Sequence, residues 1–128
     1  MTVGFNHLGQ LGQLGNQMFQ YAITKSVASK LNVPFKIPNH QNIFDDGIGN
    51  RYTILLFDIF KLEGLTDFGF VNSEKYVQEG HFHYDETIFD ISPQEDFSLW
   101  GFFQSEKYFK DIENDIRNDF KFKDELVS

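Results

Sequence analysis

The sequence predicts an α/β fold in which helices flank a parallel sheet, and the start of the chain carries most of that prediction. In Thr2–Leu8, larger side chains alternate with Gly4 and Asn6, as they do along a strand. A glycine-rich loop follows, and Gln17–Leu31 then places apolar side chains on one face at helical spacing. Val33–Pro38 is typical of a short extended segment, which its two prolines limit. A strand, a turn, a helix and a strand in this order predict a right-handed βαβ unit.

Later segments extend this pattern. Apolar stretches predict a short helix and then three strands or extended segments, which are Tyr52–Leu62, Phe68–Val71, Lys75–His83 and Phe97–Phe103. Polar and glycine-rich stretches predict a loop and a turn, which are Asn39–Asn50 and Asp90–Asp96. A second helix is predicted from about Ser105 to Phe120, because Phe109, Ile112 and Ile116 recur at helical spacing with charged residues opposite them.

The composition indicates one globular domain, residues 1–128, with a core rich in aromatic rings. The chain has 128 residues, and its 16 Phe, 5 Tyr and 1 Trp argue against disorder. It has no cysteine, which excludes a disulfide framework and thiolate metal ligands. Its formal net charge of −8 repels nucleic acid over most of the surface, so no nucleic-acid partner is expected.

The start of the chain predicts neither a targeting signal nor a membrane span. The first residues lack a basic region, so a signal peptide is not expected. The long uncharged stretch between Val3 and Ile23 contains too many Gly, Gln and Asn residues to cross a bilayer. Together with the absence of cysteine, these observations predict a cytoplasmic protein.

The segment LGQLGQLGNQMFQYA, Leu8–Ala22, places a glycine at every third position directly before the helix. Glycine lets a ligand approach the backbone, and the N–H groups at the start of a helix suit an anion. Asn16 is a good N-cap residue, and its amide can also donate to a phosphate or a sugar hydroxyl. The spacing matches neither the Gly-x-Gly-x-x-Gly fingerprint nor the Gly-Lys-Ser/Thr loop of nucleotide-binding proteins. A plain strand-to-helix turn and an anion-binding loop both fit it.

Arginine is scarce, which limits what the chain can bind unaided. Arg51 and Arg117 are the two arginines, and Arg117 lies in an acidic stretch. A domain that neutralises a diphosphate alone is expected to have clustered Arg or Lys side chains, or a metal ion. The sequence has no such cluster, so it does not supply the positive charge for a diphosphate unaided.

Two long motifs resemble those of a known enzyme family. GQLGNQMFQYA, Gly12–Ala22, is similar to the N-terminal signature of the α1,2-fucosyltransferases of glycosyltransferase family 11. LWGFFQSEKYF, Leu99–Phe109, resembles a second block of that family at about the expected distance downstream. HFHYDE, His81–Glu86, resembles the segment that usually precedes the second block. The resemblance extends over essentially the whole chain.

The resemblance implies a two-lobed, GT-B-like glycosyltransferase in which this chain is the Rossmann-like N-terminal lobe, on the acceptor side. It implies inverting transfer of fucose from GDP-L-fucose to a β-galactoside, with no metal and no other cofactor. The family's His-x-Arg-Arg-x-Asp block, which is thought to bind GDP, does not occur in this sequence. We therefore expect a C-terminal lobe or a partner chain to supply the donor-binding half, and we expect this chain to be inactive alone.

By the same resemblance, Gly15, Asn16 and Gln17 are the predicted binding site for donor and acceptor. Asn16 would donate to the sugar diphosphate, and Gln17 would support the loop or the acceptor. No catalytic residue is predicted within the chain. Two alternatives remain: a non-catalytic module that binds a glycan or a nucleotide, and a subunit completed by a separate donor-binding chain.

Three further segments have the composition of functional sites, but a structural role suits each of them better. His81–Asp85 places two histidines and an aspartate on one side of a strand, without a fourth ligand for a metal ion. Asp45–Asn50 lacks the ligand spacing of a calcium loop and is typical of a solvated turn. Glu106 and Lys107 belong to a specific motif, yet they lie at the start of the second predicted helix.

Overall fold

A computed structural model describes residues 2–8, 14–38, 43–45, 51–53, 56–62, 65, 67–71, 76–78, 96–101, 103 and 106–122. Helices pack against a parallel sheet, which confirms the predicted α/β class. In chain order, the elements are β1 (Val3–Gly4), α1 (Leu14–Leu31), β2 (Phe35–Lys36), β3 (Ile43–Asp45), β4 (Arg51–Thr53), α2 (Leu56–Ile59), β5 (Tyr76–Gln78), β6 (Phe97–Trp100), a 3-10 helix (Glu106–Ile112) and α3 (Glu113–Asp119).

The main sheet has four parallel strands in the order β2-β1-β6-β5. β1 is an inner strand, and its Val3 lies beside Phe35 of β2 and beside Phe97 of β6. Since α1 connects β1 to the parallel strand β2, the element order and the parallel pairing of the predicted βαβ unit are confirmed. β3 and β4 form a separate antiparallel pair.

β1 is shorter than the predicted strand Thr2–Leu8, because other hydrogen bonds replace the strand ladder near its end. The backbone N–H of Asn6 donates to Oγ of Ser98 at 2.9 Å. The N–H of Leu8 donates to the carbonyl of Phe5 at 3.0 Å, which closes a turn. The chain therefore leaves the sheet soon after β1 and heads toward α1.

Gly4 is needed because Val71 lies close against β1. A Cβ atom at Gly4 would lie 2.7 Å from Cγ1 of Val71, closer than such atoms approach. Asn6 then binds the backbone of Val71 twice. Its Nδ2 donates to the Val71 carbonyl at 3.1 Å, and its Oδ1 accepts from the Val71 N–H at 2.9 Å.

α1 begins at Leu14, before the predicted start at Gln17. Leu14 is half-buried and packs against the core, so tertiary contact stabilises the additional turn. Asn16 consequently lies within the first turn of α1, and the prediction that it is the N-cap is wrong.

The middle of the chain departs most from the predictions. β3 lies within the predicted loop Asn39–Asn50, because it pairs with β4. β4 and α2 occupy most of Tyr52–Leu62, which was predicted as one short helix. The predicted strand Phe68–Val71 forms a single parallel bridge, between Phe68 and Ile37.

The later part of the chain follows the predictions more closely. β5 lies within the predicted segment Lys75–His83, and β6 begins the predicted strand Phe97–Phe103. Residues 79–83 and 90–95 lie outside the described residues. The second predicted helix is in two pieces, the 3-10 helix and α3, because the backbone of Phe109 is not helical (φ −126°, ψ 19°). Its charged side chains face solvent as predicted, and they are Lys110, Asp111, Glu113, Asp115 and Arg117.

α1 is buried on nearly all sides, whereas the sequence predicted one buried face. The sheet covers one side, where the ring of Tyr21 meets that of Phe35 with centroids 5.9 Å apart. The 3-10 helix covers another, where Oγ of Ser26 donates to the carbonyl of Tyr108. The buried residues are Gln17, Gln20, Tyr21, Ala22, Ile23, Thr24, Ser26, Val27 and Ala28.

A buried ion pair ties α1 to the end of α3. Oδ2 of Asp119, which is 2% exposed, accepts hydrogen bonds from the Tyr21 hydroxyl at 2.7 Å and from Nζ of Lys25. Tyr21 and Lys25 lie one helical turn apart, so both reach the same carboxylate. Burial, together with the hydrogen bond to Asp119 and its negative charge, raises the pKa of the Tyr21 phenol above its ordinary value.

The raised pKa predicts a loss of stability at alkaline pH. The unfolded chain releases the Tyr21 proton near its ordinary pKa of 10.0, while the folded chain keeps it to higher pH. The stabilisation is therefore complete below about pH 10 and declines above it. We expect the urea midpoint of the wild type to fall between about pH 10 and pH 11, and to fall less in Tyr21→Phe. Equal falls in the two proteins would contradict this account of Tyr21.

Candidate functional site

The carboxyl ends of β1 and β6 lie side by side at one edge of the sheet. From this edge the chain continues into α1 after β1, and into the 3-10 helix after β6. The rings of His7 and Trp100, near the ends of the two strands, meet edge to face with centroids 4.6 Å apart. Parallel α/β sheets commonly bind ligands in the crevice beyond the carboxyl ends of their strands. This edge is therefore the candidate functional site.

The two sequence motifs, which are far apart along the chain, meet beside this edge. Nε2 of Gln20 in the first motif donates to the carbonyl of Gly101 in the second motif at 3.1 Å. The rings of Phe19 and Phe109 lie with centroids 6.2 Å apart. The two motifs therefore form one structural unit, in which the first turns of α1 pack against the chain that follows β6.

The three predicted site residues occupy consecutive positions in the first turn of α1, with different exposure. Gly15 is exposed, Asn16 is half-buried and Gln17 is 1% exposed. The burial of Gln17 favours the first of its two predicted roles, support of the loop, over contact with an acceptor. Within the described residues, the first turn of α1 has no acidic side chain to offset the positive end of the helix dipole. The start of α1 therefore suits an anionic group.

Nothing within the described residues requires a glycine at position 15. A Cβ atom added to Gly15 meets no heavy atom within 4 Å, in contrast to one added to Gly4. Glycine in a helix costs about 1 kcal/mol relative to alanine, so the chain bears a penalty at Gly15 without an internal steric reason. Close approach of a ligand to the backbone is one reason for such a glycine.

Gly15→Ala is accordingly expected to raise the free energy of unfolding by about 0.5–1 kcal/mol. It is also expected to weaken ligand binding at this edge, because the new methyl group occupies the open space. Urea unfolding measures the first effect, and Gly4→Ala is the matched control. That control should destabilise, since its Cβ meets Val71. A destabilised Gly15→Ala variant would show that Gly15 has an internal structural role.

The chain after β6 has an unusual backbone. Gly101 has φ 141° and Phe103 has φ 51°, and a bulky residue with positive φ is rare. Phe103 is fully buried, and its ring meets the rings of Phe5 and Tyr108 edge to face. Packing therefore holds a conformation that costs about 1–3 kcal/mol. Sequence reasoning did not single out Phe103 or Gln20, although both lie within the two quoted motifs.

An apolar groove of about 420 Å³ lies between the first turns of α1 and the two helical segments that follow β6. It begins at Gly15, and an exposed ion pair between Glu113 and Arg117 lies along it. Its other lining residues are Met18, Phe19, Phe109, Ile116 and Phe120. A groove of this volume, lined by several aromatic rings and few polar groups, suits a small organic ligand.

The remaining candidates from the sequence contribute little to this edge. Three of them lie outside the described residues, namely Gly9, Gly12 and the segment His81–Asp85. Of the segment Asp45–Asn50, only Asp45 is described, and it is the last residue of β3. Glu106 and Lys107 begin the 3-10 helix, and Lys107 is exposed. Lys107 is not among the described residues that line the groove.

Comparison with known proteins gives no further guide to function. No family model matches the chain, and no curated protein or solved structure matches it. Across the described part of the chain, no helix has the length and apolar character to cross a membrane. The same residues contain no group of three or more His, Cys, Asp and Glu side chains that could hold a metal ion.

Proposed function

We propose that this chain is the N-terminal, acceptor-side lobe of an inverting fucosyltransferase, with the Rossmann-like sheet of a two-lobed glycosyltransferase. One observation carries the proposal. The two segments that resemble the α1,2-fucosyltransferases meet at the carboxyl edge of a parallel sheet, where Gln20 donates to the Gly101 carbonyl. Ligands commonly bind at this edge of a parallel α/β sheet, so the meeting of the two segments there supports the proposal.

The proposed reaction transfers fucose from GDP-L-fucose to a hydroxyl of a β-galactoside. The bond from the fucose anomeric carbon to the diphosphate breaks, and a bond to the acceptor oxygen forms. The acceptor hydroxyl releases its proton, and GDP leaves. Negative charge builds on the diphosphate, and its stabilisation is usually the largest catalytic effect of an enzyme. The N–H groups in the first turn of α1 and the Asn16 amide contribute donors to that charge. The groove beside Gly15 offers rings against which an acceptor sugar can pack.

A second polypeptide segment must supply most of the positive charge. Arg117 forms an ion pair with Glu113, and Arg51 is the other arginine in the sequence. The shortage of arginine also favours the alternative that the chain is a subunit or binding module completed by a separate donor-binding chain. In either case, we propose that the isolated chain binds its ligands weakly and does not catalyse fucose transfer.

The experiment is a titration of the ¹⁵N-labelled chain with GDP-fucose and, separately, with lactose, followed by NMR. Expected results are millimolar binding, shifts of the backbone amides of Gly15 and Asn16, and no fucose transfer by the chain alone. Fucose transfer is expected after a donor-binding half is added. Turnover by the isolated chain would contradict the proposal, and tight binding of GDP would favour a nucleotide-binding regulator. No shift with either ligand and no transfer by the combined halves would refute the proposal.

A further inference from the structure

Gln20 has an incomplete set of hydrogen bonds in a fully buried position. Its side chain is 0% exposed, and Nε2 donates to the Gly101 carbonyl at 3.1 Å. Its carbonyl oxygen, Oε1, is buried and accepts no hydrogen bond within the part of the chain that the structure describes. Reversing the amide would place two carbonyl oxygens against each other, so the bond to Gly101 fixes the orientation of the group.

An unpaired buried acceptor is costly and uncommon, so it calls for an explanation. The partner of Gln20, Gly101, lies two residues before a strained position, since Phe103 has positive φ. Gln20 also lies one helical turn after Asn16, on the same face of α1. Helical side chains lean toward the N-terminus of their helix, so the Gln20 side chain covers the turn that contains Asn16.

We propose that Gln20 is a positioning residue of this edge. Nε2 holds the chain after β6 against α1. Because Oε1 is buried in the unliganded chain, it accepts a hydrogen bond from a sugar hydroxyl after ligand binding shifts the residues around it. The inference rests on the proposed function, because that function defines the ligand as a sugar or sugar nucleotide. It goes further, because it assigns Gln20 the role of holding the second motif in position against the first when the ligand binds.

The side-chain amide signals of Gln20 test this directly in the unmodified chain. The ¹⁵N-labelled protein is titrated with GDP-fucose and, separately, with lactose. The Gln20 side-chain signals are expected to shift together with the Asn16 backbone amide and to give the same dissociation constant. If Asn16 responds and the Gln20 signals stay fixed, this inference fails while the proposed function stands. If neither residue responds to either probe, this inference fails, and transfer by the combined halves decides whether the proposed function fails with it.

Gln20→Met provides the second test, because it keeps the length of the side chain and removes its donor and acceptor. The dissociation constant is expected to rise about tenfold or more for the probe that binds. Thr24→Val is the matched control. It removes another buried hydrogen bond of α1, from Oγ1 of Thr24 to the Gln20 backbone carbonyl, and should leave the dissociation constant unchanged. Equal affinity of the Gln20→Met and Thr24→Val variants would overturn the inference.

Discussion

Replacing Asp119 by alanine is expected to lower the free energy of unfolding by about 3–5 kcal/mol. The Asp119 carboxylate is 2% exposed and accepts hydrogen bonds from the Tyr21 hydroxyl and from Nζ of Lys25. The Lys25 side chain is only 16% exposed, so its ammonium group would lose its partner where water can replace it poorly. The Tyr21 hydroxyl would lose its acceptor as well. The variant also loses the link that joins α1 to the end of α3.

Urea unfolding at neutral pH measures this effect. Asp115→Ala is the matched control, because Asp115 is an exposed aspartate on the same helix, and it should change stability by less than about 0.5 kcal/mol. The double variant Lys25→Met with Asp119→Leu should recover much of the loss, because it removes both charges together. A loss below about 1 kcal/mol in Asp119→Ala would contradict a structural role for this ion pair.

The βαβ unit was predictable because its signals are local. Alternation before the glycine-rich loop and helical spacing after it are enough to predict β1, α1 and the extended segment that contains β2. The start of α1 was misplaced because Asn16 has the preference of a cap, while the packing of Leu14 extends the helix past it. The tertiary contact of Leu14 therefore outweighs the local preference of Asn16 for the capping position.

The burial of α1 on more than one face could not be predicted from periodicity. Tyr21 and Ser26 are buried because α3 and the 3-10 helix pack there, and these segments are distant in sequence. The same holds for the site. The motif singled out Gly15, Asn16 and Gln17, whereas the pairing of Gln20 with Gly101 depends on the sheet order that brings β6 beside β1. Hydrogen bonds between residues so far apart in the chain produce no periodic pattern in the sequence.

Asn16→Ala is expected to reduce fucose transfer by about 10²–10³-fold once a donor-binding half completes the enzyme. Asn16 lies in the first turn of α1, at the positive end of the helix dipole. Its amide is the side-chain donor that we propose for the charge developing on the leaving diphosphate. Removal of one such donor weakens the transition state more than the ground state, so kcat should fall more than the affinity for GDP-fucose.

The decisive measurement is the initial rate of fucose transfer from GDP-fucose to lactose by the completed enzyme, with Asn16→Ala compared with Asn114→Ala. Asn114 is an exposed asparagine near the start of α3, so the control makes the same change away from the proposed site. We predict a loss of about 10²-fold or more in Asn16→Ala and an unchanged rate in Asn114→Ala. Equal rates in the two variants would show that the first turn of α1 does not act on the sugar nucleotide.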